Sequence, residues 1–429
     1  MGRRFRKLVP VEEALKNYLN EIEGFSLEVE EVPLEEAVGR VLAEDVVSRV
    51  DNPPFDRAAM DGYAVVAEDT YGASESSPVI LRVVGEVLAG ESGKVCVSRG
   101  CAVRISTGAP VPEGANAVVP VEECECFGDH IKVYRQVPPW KNVDRRGEDI
   151  RKGEILMTRG SMIAPVDVAA LASCEIEKVR VFRKVRISLI FVGDELVELG
   201  EKRGEGQVIN SSGPMLRALL SELPVDISAY VKIGDDLSEI KSKLREVLPR
   251  SDVIVTVAGT SVGKRDLIPL AVLEIGGKIL THGVTQMPGR PVLLSLVDHK
   301  PLIGLPGYPV ATYISFMNFV RPVVEKLAGI SGAPVTPEIW ARLGSRVPSR
   351  PGVRHYVRVK IVKEKDGFVA LPVRISGAGI VSSLLRADGL LVVPENVEGF
   401  QEGEIVKVKL MRRYLTNVGE ENLPQASER

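Results

Sequence analysis

Between residues 185 and 327 the apolar positions switch repeatedly between two periods. ISLIFV (187–192), VDISAYVKI (225–233) and DVIVTV (252–257) have the length and β-branched content of buried strands. Between and after them, PMLRALLSEL (214–223), DLSEIKSKLREVL (236–248) and PVATYISFMNFVRPVVEKL (309–327) repeat their apolar residues at helical spacing, two of them opened by proline. The segment VLLSLVDHKPLI reads as a hairpin. Strands alternating with helices predict a parallel sheet covered by helices.

The flanking regions have other textures. Residues 11–22 place Val11, Leu15, Tyr18 and Leu19 on one face of an amphipathic helix. Residues 32–47 read as a second helix-rich segment. From Pro78 to Val137 short strands separated by turns predict a small β unit, and residues 335–413 return to strands, with a hairpin turn at Lys365-Asp366-Gly367. The predicted organisation is an elongated N-terminal region (1–50 and 142–184), an inserted small β domain (51–141), an α/β domain (185–330), a C-terminal β domain (335–413) and a polar, disordered tail (415–429). The first helix is expected to join the α/β domain.

Composition narrows the function classes. The 429 residues exceed one compact core, and 45% hydrophobic with 26% charged residues describe a soluble globular chain. A net charge of -3 offers no basic field for nucleic acid. No apolar run reaches the roughly 18 residues of a membrane helix, and the basic start lacks the apolar core of a secretory signal. The expected location is cytoplasmic. Cys96, Cys101, Cys124 and Cys126 lie close in sequence without paired CxxC spacing, so they are expected as buried thiols in strands.

The candidate chemistry sits where the predicted strands end. The strand 252–257 runs into a loop of small residues holding Gly259, Thr260, Ser261 and Gly263. It continues through Lys264 and Arg265 to Asp266, where a helical pattern begins. Backbone N–H groups and a helix start converge there, as in anion sites. The other two strands end in Gly193-Asp194-Glu195 and Gly234-Asp235-Asp236. In an open parallel sheet, ligands sit at such strand ends. Converging carboxylates require a cation, and Mg2+ bound by Asp266, Asp236 and Glu195 beside a phosphate is the natural candidate. Either Asp235 or Asp236 could instead cap the helix that follows, and Asp194 could be a turn residue. The loop is not a nucleotide P-loop, because it has one residue too few and Arg265 replaces the metal-binding Ser or Thr. Ser261 has no nearby base and reads as an anion ligand, not a nucleophile. The loops QMPGRPV (286–292) and GLPGYPVA (304–311) add Pro288, Arg290, Pro306 and Pro309, with Arg290 suited to an oxyanion.

Seven segments in order resemble the MoeA/gephyrin family of molybdopterin molybdenumtransferases: FDRAAMDGYAV (55–65), STGAPVPEGANAVVPVEE (106–123), RRGEDI (145–150), VGDEL (192–196), GTSVGKRD (259–266), PGRP (288–291) and GLPGYPV (304–310). The resemblance implies an elongated four-domain homodimer, with a molybdopterin-binding α/β domain and a barrel-like C-terminal β domain. It implies an enzyme that takes adenylylated molybdopterin and molybdate or tungstate, uses Mg2+ and releases AMP. The molybdopterin adenylyltransferase is a candidate partner. Carried over by motif, the functional acids fall on Asp61, Asp149, Glu195, Asp235 or Asp236, and Asp266. Asp61 and Asp149 would reach the site across the dimer. Arg358 with Ser382 or Ser383 resembles the positions lining the oxyanion site. Lysines usual before the PGRP segment fall here on Gly283 and Met287, and Arg290 stands where a lysine is usual. These departures leave a second reading, an altered paralogue that binds pterin or oxyanion as a scaffold.

Overall fold

The computed structural model describes residues 8–92, 94–259, 267–332 and 335–415. Its centre is the α/β unit, with strands β1 (Val185–Val192), β2 (Val225–Ile233), β3 (Val253–Val257), β4 (Lys278–His282), β5 (Leu293–Val297) and β6 (Lys300–Leu305). Their order in the sheet is β2-β1-β3-β6-β5-β4. β1 pairs in parallel with β2 and β3, and β3 with β6. β5 runs antiparallel between β6 and β4. The reversal from β5 to β6 is the expected hairpin. Asp298 and His299 turn it with φ of 50° and 60°, the paired left-handed geometry that matches strand twist.

Helices α1 (Ser212–Leu220), α2 (Leu237–Val247) and α3 (Ile268–Glu274) connect the strands, and α4 (Pro309–Ser315) follows β6. The expected helix over 309–327 forms, but a π turn at Phe316–Val320 interrupts it before α5 (Arg321–Leu327). Two apolar clusters sandwich the sheet. On one side Leu216, Phe316 and Val323 meet Leu189, Phe191 and Val255. On the other Ile240, Leu244 and Val272 meet Ile190, Val192 and Ile254. The central strands β1, β3, β5 and β6 bury both faces, which explains their near-continuous apolar runs, while the edge strands β2 and β4 are only partly buried.

The N-terminal helix Val11–Glu21 belongs to the first cluster. Its Tyr18 is fully buried, and the hydroxyl donates to the carbonyls of Ser295 at 2.8 Å and Leu302 at 3.2 Å. Residues 32–47 differ from the helical expectation. They hold the end of strand Val29–Pro33, one 3-10 turn at Leu34–Glu36 and strand Val46–Val47. The first strand pairs antiparallel with Lys178–Phe182, a partner distant in sequence. Pro33 and Gly39 (φ 77°) also oppose a continuous helix.

A six-stranded sheet spans Gly62–Val65 to His130–Val133. All five cysteines are free, and Cys96 and Cys126 are exposed, contrary to the expectation of buried thiols. Cys126 lies on an edge strand, where its Sγ is 2.7 Å from the Tyr63 hydroxyl. C-terminally, Arg354–Glu364, Gly367–Arg374, Glu338–Leu343, Ile405–Leu410 and Gly389–Val393 close into a five-stranded barrel. The expected tail beyond residue 415 lies outside the described residues.

Candidate active site

The sheet order makes a switch point. From β1 the chain crosses to β2 on one side, then returns to β3 on the other. Such a reversal opens a crevice at the carboxyl ends of the strands. A cleft of 610 Å³ occupies this position. Phe191 near the end of β1 and Glu195 after it, Val257 at the end of β3 with Ala258 and Gly259 after it, and Pro306 to Pro309 after β6 line it. Gly379 and Val381 reach in from the C-terminal unit, so two units share the walls.

Each strand end is shaped by a specific requirement. Glu195 is exposed in the cleft. A Cβ at Gly193 would meet the Glu195 Oε2 at 2.7 Å, so glycine lets this carboxylate fold back over the strand end. A Cβ at Gly234 would likewise meet Asp194 Oδ1 at 2.8 Å. Asp194 Oδ1 accepts from the Asp235 amide at 3.1 Å, which ties the β1 and β2 ends together. Asp236 Oδ1 accepts from the Glu239 amide at 2.8 Å and caps α2. The capping alternative therefore holds for Asp236, and one of its oxygens is engaged.

The opposite wall is a rigid shelf. Thr312 Oγ1 donates to the Pro306 carbonyl, 2.6 Å away, and lies 3.0 Å from the Tyr308 carbonyl. These contacts pin the proline loop to α4. Tyr308 is 66% exposed, and a Cβ at Gly379 would meet its ring at 3.0 Å, so the glycine lets the two units close over the cleft. Asn210 supports the rim: its amide nitrogen donates to Glu198 at 3.0 Å and its oxygen accepts from Gly213 at 3.0 Å. Tyr230 also donates to Glu198 at 3.1 Å, and burial followed by the Glu198 charge pushes its pKa up to about 12.

The structure gathers only some of the expected residues. Glu195, Gly259, Pro306 and Pro309 line the cleft; Gly193, Asp194, Asp235 and Asp236 lie at the adjoining strand ends. Thr260, Ser261, Gly263, Lys264 and Asp266 lie outside the described residues. Pro288 and Arg290 precede the lining residue Pro291. Asp61 and Asp149 do not line the cleft of their own chain. Asp61 accepts from the Thr107 amide and hydroxyl at 2.7 and 2.9 Å, and these bonds hold its carboxyl below the usual range. Asp149 accepts from Asn52 at 3.1 Å.

Arg358 is fully buried. It donates to Ser383 Oγ at 3.3 Å and to the carbonyls of Tyr356 at 3.3 Å and Ser376 at 2.9 Å. Among the described residues no carboxylate pairs with it. Burial, and then the Arg374 charge, push its pKa down to about 10. Ser383 is buried and Ser382 exposed, next to the lining residue Val381.

Sequence reasoning missed Phe191, Leu196, Val208, Ile209 and Ser211 as lining residues, along with Tyr308, Gly379 and Val381. Tyr308 had a signal, its place inside a proline-glycine loop. Gly379 and Val381 had none, because only the docking of the C-terminal unit brings them here.

Three family models cover nearly the whole chain: the MoeA N-terminal region (domain I and II) over residues 9–174, a probable molybdopterin binding domain over 188–326, and the MoeA C-terminal region (domain IV) over 340–411. The chain belongs to the MoeA family. A putative molybdopterin biosynthesis protein of Methanocaldococcus jannaschii is 37% identical over 411 residues, covering 93% of this chain and 96% of that protein. A molybdopterin molybdenumtransferase of Staphylococcus epidermidis is 31% identical over 407 residues, 94% and 96% of the two chains. A crystal structure of the Pyrococcus horikoshii MoeA protein superposes with a TM-score of 0.81 at 36% identity, covering 94% of this chain and 100% of that one. Within this MoeA fold, the cleft lies in the segment matched as molybdopterin-binding and is closed by the C-terminal region.

A hard cation finds an oxygen donor in the cleft. Glu195 lines it, and a carboxylate there could serve as one ligand of a Mg2+ ion that would take its remaining oxygens from water or a bound phosphate. Among the described residues no three acidic, histidine or cysteine side chains are grouped to hold a metal alone.

Proposed function

We propose that the protein is a molybdopterin molybdenumtransferase. It takes adenylylated molybdopterin with molybdate or tungstate, loads the metal at the dithiolene and releases AMP. One observation carries the reading: the apolar switch-point cleft, edged by Glu195 and roofed by Gly379 and Val381, lies within the molybdopterin-binding segment. The apolar walls, including Phe191 and Tyr308, suit a planar ring system. The sequence from Gly259 to Asp266, small residues leading into a helical pattern, suits its phosphate. Arg358, buried without a carboxylate, supplies positive potential near Ser382 and Val381 for a tetrahedral dianion.

Glu195, with Asp266 as the resemblance implies, would hold Mg2+, which would supply Lewis-acid chemistry to the phosphoanhydride. The protein's own part is to orient that bond against the proline shelf and to limit water access. Arg290 stands in for the lysine usual before the last proline of its loop, while Gly283 and Met287 provide no cation.

The working form is a homodimer. Asp61 and Asp149 are absent from the cleft of their own chain, and the N-terminal segment leaves Val29, Val47, Ile155 and Val166 exposed at 44, 42, 54 and 79%. Apolar positions of this kind suit a second copy. No helix among the described residues is long and apolar enough to cross a membrane, which accords with a cytoplasmic enzyme.

The deciding assay combines purified protein, adenylylated molybdopterin, Mg2+ and either oxyanion, with AMP and metal-loaded cofactor as readouts. Turnover with at least one oxyanion is expected, and Glu195→Gln should lower it by roughly a hundredfold. Pterin binding without turnover on either metal would reject the enzyme and leave a scaffold.

A further inference from the structure

We infer that Asn318, carried on the π turn, is a positioning residue that fixes the 286–290 loop to the C-terminal barrel and so sets the oxyanion end of the cleft. The π turn at Phe316–Val320 interrupts a helix whose sequence is otherwise regular. Such turns are uncommon and tend to occur at functional sites. Here the turn coincides with a chain of buried polar contacts between the two units.

The Asn318 amide nitrogen lies 3.0 Å from Gln286 Oε1 and 2.8 Å from the Tyr356 hydroxyl, and donates to both. The Gln286 amide nitrogen in turn donates to the Gly289 carbonyl at 2.9 Å and the Ser315 hydroxyl at 2.8 Å. Gln286, Ser315 and Tyr356 are 1, 0 and 6% exposed, so little water can replace these bonds. A Cβ at Gly289 would meet the Gln286 Nε2 at 2.4 Å and the Ser315 Oγ at 2.8 Å; the loop closes this tightly only on glycine.

The relay joins two cationic segments. One end is the loop of Arg290, next to the lining residue Pro291. The other is the barrel strand Arg354–Glu364, where Tyr356 precedes Arg358 and accepts from it through its carbonyl. The same strand pairs in parallel with the loop, Gln286 opposite Arg354 and Met287 opposite His355. Backbone pairing fixes the register, while the relay fixes the loop beyond Met287, where the strand pairing ends. With no lysine at 283 or 287, the placement of Arg290 relative to Arg358 matters more. This inference rests on the oxyanion reading above.

The test compares Asn318→Leu and Tyr356→Phe with wild type in the full-length protein. Amide hydrogen exchange over residues 285–292 should rise about tenfold in Asn318→Leu, the effect of losing the one of its two hydrogen bonds that reaches the loop, to Gln286, with residues 253–257 unchanged. KM for molybdate should rise by a similar factor while KM for adenylylated molybdopterin stays within about twofold. Tyr356→Phe should give a smaller change in the same direction, and the double variant less than the sum. Unchanged exchange at 285–292 in both single variants, or both KM values rising together with exchange across the whole sheet, would overturn the assignment. A wild-type protein that turns over no oxyanion would retire the proposed reaction, and the exchange comparison would then decide the positioning role by itself.

Discussion

Replacing Arg358 by methionine should leave the barrel nearly as stable while removing oxyanion binding. The guanidinium is fully buried, and burial with Arg374 nearby pushes its pKa down to about 10. At about 1.36 kcal/mol per tenfold change in proton affinity, the charged form is about 3 kcal/mol less favourable there than in water. Methionine removes that penalty and fills much of the volume. It also strands three acceptors, Ser383 Oγ and the carbonyls of Tyr356 and Ser376. Each stranded acceptor costs about 1 kcal/mol. The opposing effects nearly cancel, so the net change should lie within about 1 kcal/mol. Hydrogen exchange of the Arg354–Glu364 amides reads local stability, and equilibrium dialysis with molybdate reads binding. A stability loss above about 3 kcal/mol would show that the cation is a net structural prop and that its charge is compensated. Retained molybdate binding would remove it from the site.

His355 offers a pH test. Burial, then the Arg358 charge, lowers its pKa below 6.5, against a hydrogen bond with the Ile375 carbonyl at 2.8 Å, and its Nδ1 is unpartnered. Below pH 6.5 the unfolded chain therefore binds more protons than the folded one; stability is complete above that pH and falls as pH drops toward the folded value. Thermal unfolding between pH 7.5 and 5.5 should be less pH-dependent in His355→Gln, and equal slopes would contradict this. Tyr18→Phe removes the hydroxyl proton shared by the Ser295 and Leu302 carbonyls and should lower stability by about 1 kcal/mol, read by denaturant titration. An unchanged midpoint would mean that other donors, such as the Ser295 hydroxyl 3.0 Å from the Leu302 carbonyl, satisfy those carbonyls without Tyr18.

The α/β unit was legible because its central strands bury both faces and its helices one, so local periodicity reports the final environment. Residues 32–47 misled for the opposite reason: their strand at Val29–Pro33 exists because Lys178–Phe182 lies beside it. In the site, Glu195 and Pro306 could be found because strand ends and proline loops have local signatures. Asp236 carried the same signature, yet its oxygen caps α2. Gly379 and Val381 depend on a docking event that no short window records. The π turn was equally silent, since Phe316–Val320 carries no glycine or proline and reads as ordinary helix.

The packing of the N-terminal helix has a consequence for synthesis. Tyr18 waits for a carbonyl 284 residues further along the chain. At about 5–20 residues per second, that partner leaves the ribosome on the order of 15–60 s later. Throughout that interval Val11, Ala14, Tyr18 and Ile22 have no sheet to cover them. Until then the segment carries an uncovered apolar face, and the covering of that face marks the moment the central sheet is complete.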